Sequence, residues 1–273
     1  MARIDVLMPV KNGADTIGPA IESVLAQSFR DLRLFVVDDG STDATGEIAA
    51  AAAGRDPRVS VTRNPGKGLV DALNHGLSQS SAPFVARMDA DDLSMELRLE
   101  RQLEFMGENP RVAAVGSRCL LFGAQTGCPP ALISPARCRE AIGLFTPLCH
   151  PSVLMRRDAL GRLGTPYYSA QFPHAEDYEL FSRLVLVGDL CNLDEPLLRY
   201  RIHARQVSNV AFETQRRSAF QISARHISDV YGIAPSATAR IIAVMARKAA
   251  CLGIGSWRES SRALRNAMRV AFA

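Results

Sequence analysis

The sequence predicts an α/β fold, a sheet flanked by helices with a helical C-terminal appendage, and three observations predict it. Apolar runs alternate with helix-periodic stretches through the first third of the chain. Two of those runs end in crowded carboxylates, Asp38-Asp39 and Asp89-Ala90-Asp91-Asp92. Charge is also divided along the chain. From Thr214 onward ten basic residues stand against two acidic ones, so the tail carries +8 and residues 1–213 carry −4 of the overall +4.

Ile4-Asp5-Val6-Leu7-Met8 reads as a first strand ended by Pro9. Ile17, Ala20, Ile21, Val24 and Leu25 then recur at helical spacing, with Asp15 placed as a cap. Residues 32–37 form a second strand, and Gly40-Ser41-Thr42-Asp43 turns the chain into an Ala-rich helix reaching Ala53. A short strand over 59–62 follows. After Asn64-Pro65-Gly66-Lys67-Gly68 a helix carries Leu69, Ala72, Leu73 and Leu77, and a fourth strand ends at Met88. Four strands separated by helices imply right-handed parallel crossovers and a Rossmann-type sheet. Ligands bind such sheets beyond the carboxyl ends of the strands, the edge where both acid groups fall. Further on, the pattern gives a helix over 97–105, a strand over 112–116, a Pro- and Gly-rich loop over 123–136, a helix to Phe145, a strand over 153–155, and a helix opened by Glu176-Asp177.

A chain of 273 residues, 47% of them apolar, holds one sizeable domain plus an appendage, placed here at 1–212 and 213–273. The six cysteines show neither a CxxC pair nor zinc spacing. With no signal peptide in view they read as reduced thiols of a cytoplasmic protein. No stretch reaches the roughly 18 apolar residues of a membrane span.

Three carboxylates crowded behind a buried strand repel one another unless a cation offsets them. Their simplest use is to hold a hard divalent metal through oxygen ligands; the plainer alternative is a solvated acidic turn with Asp92 as helix cap. An EF-hand would need Gly where Ser94 stands. Asp38 and Asp39 serve either a ligand or the following helix N-terminus. Gly66-Lys67-Gly68 lacks the spacing of a P-loop and is otherwise a turn with a solvated Lys. Two acid-tipped strands suggest a metal-assisted site for a phosphate-bearing ligand.

The strings LMPVKNGADTIGPAIESVLAQSF, VVDDGSTD, NPGKGLVDALNHGL, ARMDADD, HPSVLMRRDAL, AEDYEL and YRIHARQVS occur in that order. The ordered set resembles family 2 glycosyltransferases, inverting enzymes of GT-A fold, over residues 3–208. The resemblance implies a mixed sheet and transfer of a single sugar from a nucleotide-diphosphate donor, uridine-based by expectation. The acceptor would be a saccharide or lipid-linked saccharide hydroxyl, as in cell-surface polysaccharide synthesis. Pro9 would line the base pocket, Asp38 would accept the base's imide hydrogen, and Asp39 would meet the ribose or structure the turn. Arg63 and Lys67 would contact the nucleotide half. The family's DxD maps onto Asp89 and Asp91, with Asp91 binding Mn²⁺ or Mg²⁺ and Asp89 holding ribose or a metal-bound water. Glu176-Asp177 matches the family's acid pair, whose second member is the general base. His203 would bind phosphate or complete the metal shell. The QxxRW motif of many relatives does not occur, which implies single-sugar transfer rather than processive polymerisation.

Arg258, Arg262, Arg265 and Arg269 share a helical stripe beside Trp257, Leu264, Met268 and Phe272. Such a helix packs on the body, packs on a second subunit in a homo-oligomer, or lies on anionic lipid with snorkelling arginines. The last suits a lipid-linked acceptor and places the protein at the inner face of the membrane. No nucleic-acid partner is expected. Two other classes stay open. One is a phosphohydrolase of haloacid dehalogenase type, which expects Thr or Val where Leu93 stands. The other is a non-catalytic protein that binds sugar nucleotides or a membrane surface.

Overall fold

The computed structural model describes residues 3–204, 206 and 210–234. Apolar residues in unbroken succession make strands covered on both faces. The first such run, β1 (Ile4–Val10), is buried at every position. It pairs in parallel with β2 (Leu32–Asp38) on one side and β4 (Phe84–Arg87) on the other, and β3 (Val59–Arg63) extends the sheet beyond β2. On the far side of β4 runs β7 (Leu154–Arg156), antiparallel to β4 and to β6 (Val112–Gly123). β8 (Asp189–Ile202) lies parallel along β6, and the two-residue β5 (Leu93–Ser94) closes the edge. The order β3-β2-β1-β4-β7-β6-β8-β5 is that of a mixed sheet.

Side chains alternate across a strand. Ile4, Val6 and Met8 therefore enter one core, beneath α1 (Ile17–Leu25), α2 (Thr45–Arg55) and α4 (Arg98–Glu108). Leu7 enters the other, with α3 (Leu69–Gln79), α5 (Pro135–Ala141), α6 (Arg157–Gly161), α7 (Glu176–Val187) and α8 (Phe212–Tyr231).

Pro9 does not end the first strand, which continues to Val10 with Pro9 opposite Val37. The Leu7 carbonyl faces β4 and takes the Met88 amide at 2.9 Å, whereas the Val10 carbonyl faces β2 and takes Asp39 at 2.8 Å. Pro9 shares the parity of Leu7, so its missing N–H faces the side where β4 has already stopped at Arg87. Asp15 does not cap α1: the cap position is Thr16, without a side-chain bond to the helix. β6 outruns its expected end by seven residues, to Gly123, and its partner β8 was not foreseen. The Asp194-Glu195-Pro196 step reads as a break in sequence. The ladder absorbs it as a register irregularity where Arg118 meets Pro196.

α8 begins where the appendage was expected and packs on α7. Ile222 enters the second core, the Ser223 hydroxyl donates to the Gly143 carbonyl, and a His226 ring nitrogen lies 3.2 Å from the Ser182 carbonyl. The arginine stripe expected over 257–272 lies outside the described residues. Among those residues no helix is long and apolar enough to cross a membrane.

Asp5 is the charged exception inside β1, and it ties three strands' connections together. Its carboxylate accepts from Arg33 at 2.9 and 3.0 Å, and from Ser80 Oγ, Ser81 N and Ala82 N at 2.8 Å each. Burial pushes its pKa upward, but Arg33 and these donors outweigh it and hold the carboxyl below 3.8. Asp5→Ala strands two backbone donors and should cost about 1–3 kcal/mol at neutral pH in urea titrations. Because the folded pKa is depressed, wild-type stability from this group is present above 3.8 and is lost as pH falls through the folded value. The gap between variant and wild type should therefore narrow in acid.

Candidate active site

The acid turn follows directly from the end of β4. Met88 is pinned by its amide to Leu7, and the chain folds so tightly that the Asp92 amide lies 3.4 Å from the Asp89 carbonyl. One oxygen from each of Asp89, Asp91 and Asp92 lies within 4.8 Å of the others. The Asp92 carboxyl is buried. Its Oδ1 accepts the Arg201 amide at 2.7 Å, while its Oδ2 has no partner. Burial, then the charge of Asp89, raises both Asp91 and Asp92, the latter to about 9. An all-oxygen donor set with one buried, unpartnered oxygen fits a hard divalent cation. The His203 Nε2 lies 3.1 Å from Asp91 Oδ2, and Arg201 Nε donates to the Asp91 carbonyl at 2.8 Å. Both come from the β8 end, which thereby closes over the turn.

Two buried guanidinium groups stand behind this cluster. Arg98, the first residue of α4, donates to the Arg87 carbonyl at 2.8 Å and to Val153 at 3.3 Å. Burial lowers its pKa to about 10, so it remains charged at neutral pH. Arg87 is 3% exposed and ion-pairs with Asp89 through Nη2, while its Nε and Nη1 have no hydrogen-bond partner. Its charge reaches Asp92, Glu176 and Asp177, favouring the ionised form of each. Beside it, a His150 ring nitrogen lies 2.8 Å from the Tyr168 hydroxyl. Burial, and next the Arg87 charge, keep His150 well below the usual range and therefore neutral.

A cleft of about 760 Å³ opens over these groups. Lys67, Asp89, Asp91, Glu176, Asp177 and His203 all line it, although the outermost two are 136 positions apart in sequence. Glu176 and Asp177 open α7, where a helix N-terminus favours carboxylates. Asp177 Oδ1 accepts the Tyr178 amide at 2.7 Å. Burial and then the neighbouring Glu176 nevertheless push its pKa up to about 7, and burial raises Glu176 as well.

Pro9, Asp38, Asp39 and Arg63 are not among the residues lining that cleft; they form an adjoining rim at the carboxyl ends of β1, β2 and β3. Asp38 is turned to its own loop, accepting Ser41 N at 3.0 Å and Ser41 Oγ at 2.5 Å. Asp39 accepts Asn64 Nδ2 at 2.7 Å and the Gly68 amide at 2.8 Å, with Lys11 at 3.6 Å. It thus anchors the Gly66-Lys67-Gly68 turn, in which Gly68 takes φ 89°. Through that turn the rim joins the cleft at Lys67.

Sequence reading gave no role to Arg87, Arg98, Tyr168, Arg201 or Gln215. Arg87 carried a usable signal, a charge inside an otherwise apolar strand just before the acid turn. Arg98 carried a weaker one, as a helical arginine on the side that must face the core. Arg201, Tyr168 and Gln215 are brought in by tertiary contacts that no local spacing encodes.

The profile of "Glycosyl transferase family 2" matches residues 5–164, more than half of the chain. The chain belongs to this family. The family 2 glycosyltransferase is 34% identical over 203 residues to the "Putative glycosyltransferase EpsE" of Bacillus subtilis (strain 168), covering 73% of each protein. It is 29% identical over 238 residues to an "Uncharacterized glycosyltransferase" of Haemophilus influenzae, covering 82% of this chain and 73% of that one. Among solved structures it is similar to S. aureus TarS 1-349 in complex with UDP-GlcNAc, with a TM-score of 0.69 at 19% identity, over 88% of this chain and 70% of that one. It is similar also to the mannosyltransferase PcManGT of Pyrobaculum calidifontis in complex with GDP-Man and Mn²⁺, with a TM-score of 0.62 at 18% identity, over 98% and 86%. At such identities the likeness shows the fold, which is GT-A. Membership of the family replaces the phosphohydrolase alternative with a glycosyltransferase.

The raised Asp92 fixes the sign of a pH effect in chelator-treated glycosyltransferase. Its folded form binds a proton that the unfolded chain has shed, so stability declines as pH rises from about 4 toward about 9. Asp92→Asn keeps the bond from Arg201 and removes the charge. Without cation it should melt higher than wild type at pH 8, with a smaller gain at pH 5, while Mn²⁺ affinity read by calorimetry falls by about 10–100-fold.

Proposed function

We propose that this glycosyltransferase moves one sugar, with inversion, from a nucleotide-diphosphate sugar to the hydroxyl of a saccharide or lipid-linked saccharide. The observation that carries the reading is that one cleft is lined by both the DxD carboxylates and the acid pair at the start of α7. Asp89 and Asp91, with Asp92 beneath them and His203 alongside, would hold Mn²⁺ or Mg²⁺. A divalent cation supplies Lewis-acid neutralisation of the diphosphate charge that grows as the glycosidic bond breaks. The solved complex of PcManGT with GDP-Man and Mn²⁺ supports a cation of this class. The TarS complex with UDP-GlcNAc supports a nucleotide-sugar donor, which we take as uridine-based here.

In this reading Asp177 is the general base. It removes the acceptor's hydroxyl proton as that oxygen bonds to the anomeric carbon, on the face opposite the departing diphosphate. A pKa of about 7 suits the task, since a carboxylate of ordinary basicity would draw the proton weakly. Burial and then the charge of Glu176 keep Asp177 high, while Arg87 favours the ionised form of both carboxyls. Lys67, on the turn held by Asp39, faces the nucleotide half of the donor. The rim of Pro9, Asp38, Asp39 and Arg63 receives the nucleoside. Asp38 gives up its Ser41 bonds or shares them when it meets the base.

Asp91→Ala and Asp177→Ala should each abolish transfer in a radiolabelled-sugar assay, but Asp177→Ala should keep cation-dependent donor binding within about threefold. Near-normal transfer by Asp177→Ala refutes the base assignment. The wild-type rate should climb with pH through about 7, because Asp177 works only when deprotonated. A thermal-shift screen of nucleotide sugars, with Mn²⁺ and with chelator, identifies the donor by the native-state stabilisation it confers.

A further inference from the structure

The segment that leads into Glu176 and Asp177 is held from outside by α8. His174 has φ 62°, the left-handed region, where a residue with a side chain stays only if its surroundings fix it. Gln215 donates its Nε2 hydrogen to the His174 carbonyl at 2.9 Å, and Ser218 donates its hydroxyl to the Pro173 carbonyl at 2.8 Å. The Arg225 guanidinium lies 4.9 Å from the Phe172 ring centroid and donates to Glu179 Oε1 at 2.7 Å. One helix thus grips residues 172, 173 and 174 before the acid pair and residue 179 after it. Of these contacts only Gln215 to His174 lies at the cleft, which both residues line together with Glu176 and Asp177.

Rotation of the His174 peptide swings Ala175 and the first turn of α7, so whatever fixes that peptide also aims the carboxylates. We propose that Gln215 is a positioning residue for Asp177, acting through the His174 carbonyl. With His174 it lines the cleft beside Glu176 and Asp177. The proposal rests on the reading of Asp177 as general base. Ser218 and Arg225 are knit into the packing between α8 and the body, whereas the Gln215 bond is open to solvent and contributes little to global stability. Its loss therefore shows in catalysis before it shows in folding.

The test uses the full chain and two substitutions. Gln215→Glu places an acceptor against the His174 carbonyl, and Gln215→Lys restores a donor at similar reach. Gln215→Glu should lower kcat for sugar transfer by about tenfold, since small misplacements of a reacting group cost up to ~100-fold. Its Kd for nucleotide sugar with Mn²⁺ should stay within about twofold and its Tm within about 2 °C. Gln215→Lys should recover most of kcat. Hydrogen exchange of the amides of Phe172 and of residues 174–177 should quicken in the Glu variant and return toward wild type in the Lys variant. An unchanged kcat, a loss that tracks donor affinity or Tm, or exchange that fails to rise each overturns the proposal. Failure of Asp177 as the base announces itself separately, as normal transfer by Asp177→Ala whatever stands at 215.

Discussion

The structure depends on a charge problem at the carboxyl end of β4. Asp89, Asp91, Asp92, Glu176 and Asp177 converge there; Asp92 and Glu176 are buried and the other three are half-buried. Mutual repulsion in a medium of reduced dielectric is severe, and neutralising protons or nearby cations must relieve it. The protein supplies two fixed positive groups. Arg87 projects from the strand itself to Asp89, and Arg98 enters from α4 beneath the backbone that carries the turn. Both are almost fully buried, and Arg87 keeps two nitrogens without partners. Such a group is costly except where surplus negative charge stands close by. The arginines and the carboxylates are therefore mutually required, and a divalent cation of the class proposed above would complete the balance.

This balance explains why the sheet is mixed. Four parallel strands bring Pro9, Asp38, Arg63 and the DxD to one edge, but a parallel extension alone would leave the turn bare on its far side. β7 reverses direction beside β4, and β6 with β8 then builds a long ribbon whose end returns over the acid turn. The Arg201 amide reaches Asp92 and the His203 ring reaches Asp91 from that ribbon. α7 delivers Glu176 and Asp177 to the same cleft.

Much of this was legible in the residues. The first four strands, the acid tips and the acid pair opening a helix each follow from local pattern, because a run such as Leu32–Asp38 has one physical use. The ribbon was not legible. Residues 117–123 mix Arg, Ser and Leu without clean alternation, and Asp194-Glu195-Pro196 imitates a loop. Only the pairing of the two strands, with its irregularity at Pro196, makes either of them extended. The catalytic and cation-binding candidates share one cleft, yet Pro9, Asp38, Asp39 and Arg63 sit on its rim. No periodicity distinguishes a rim from a wall, since both lie at strand ends. The charge count from Thr214 onward marked a basic helical appendage but not its contacts: Gln215, Ser218 and Arg225 of α8 hold the loop before Asp177.

The irregularity opposite Pro196 also sets the phase of everything downstream of it. Side chains and amides on a strand change face with every residue, so deleting one position between Pro196 and Tyr200 would turn the Arg201 amide outward and carry the imidazole at 203 away from the acid turn. Length changes in the 123–136 loop carry no such penalty, because both flanks are anchored independently. Across relatives, insertions should accumulate freely in that loop and stop abruptly at the kinked stretch of β8.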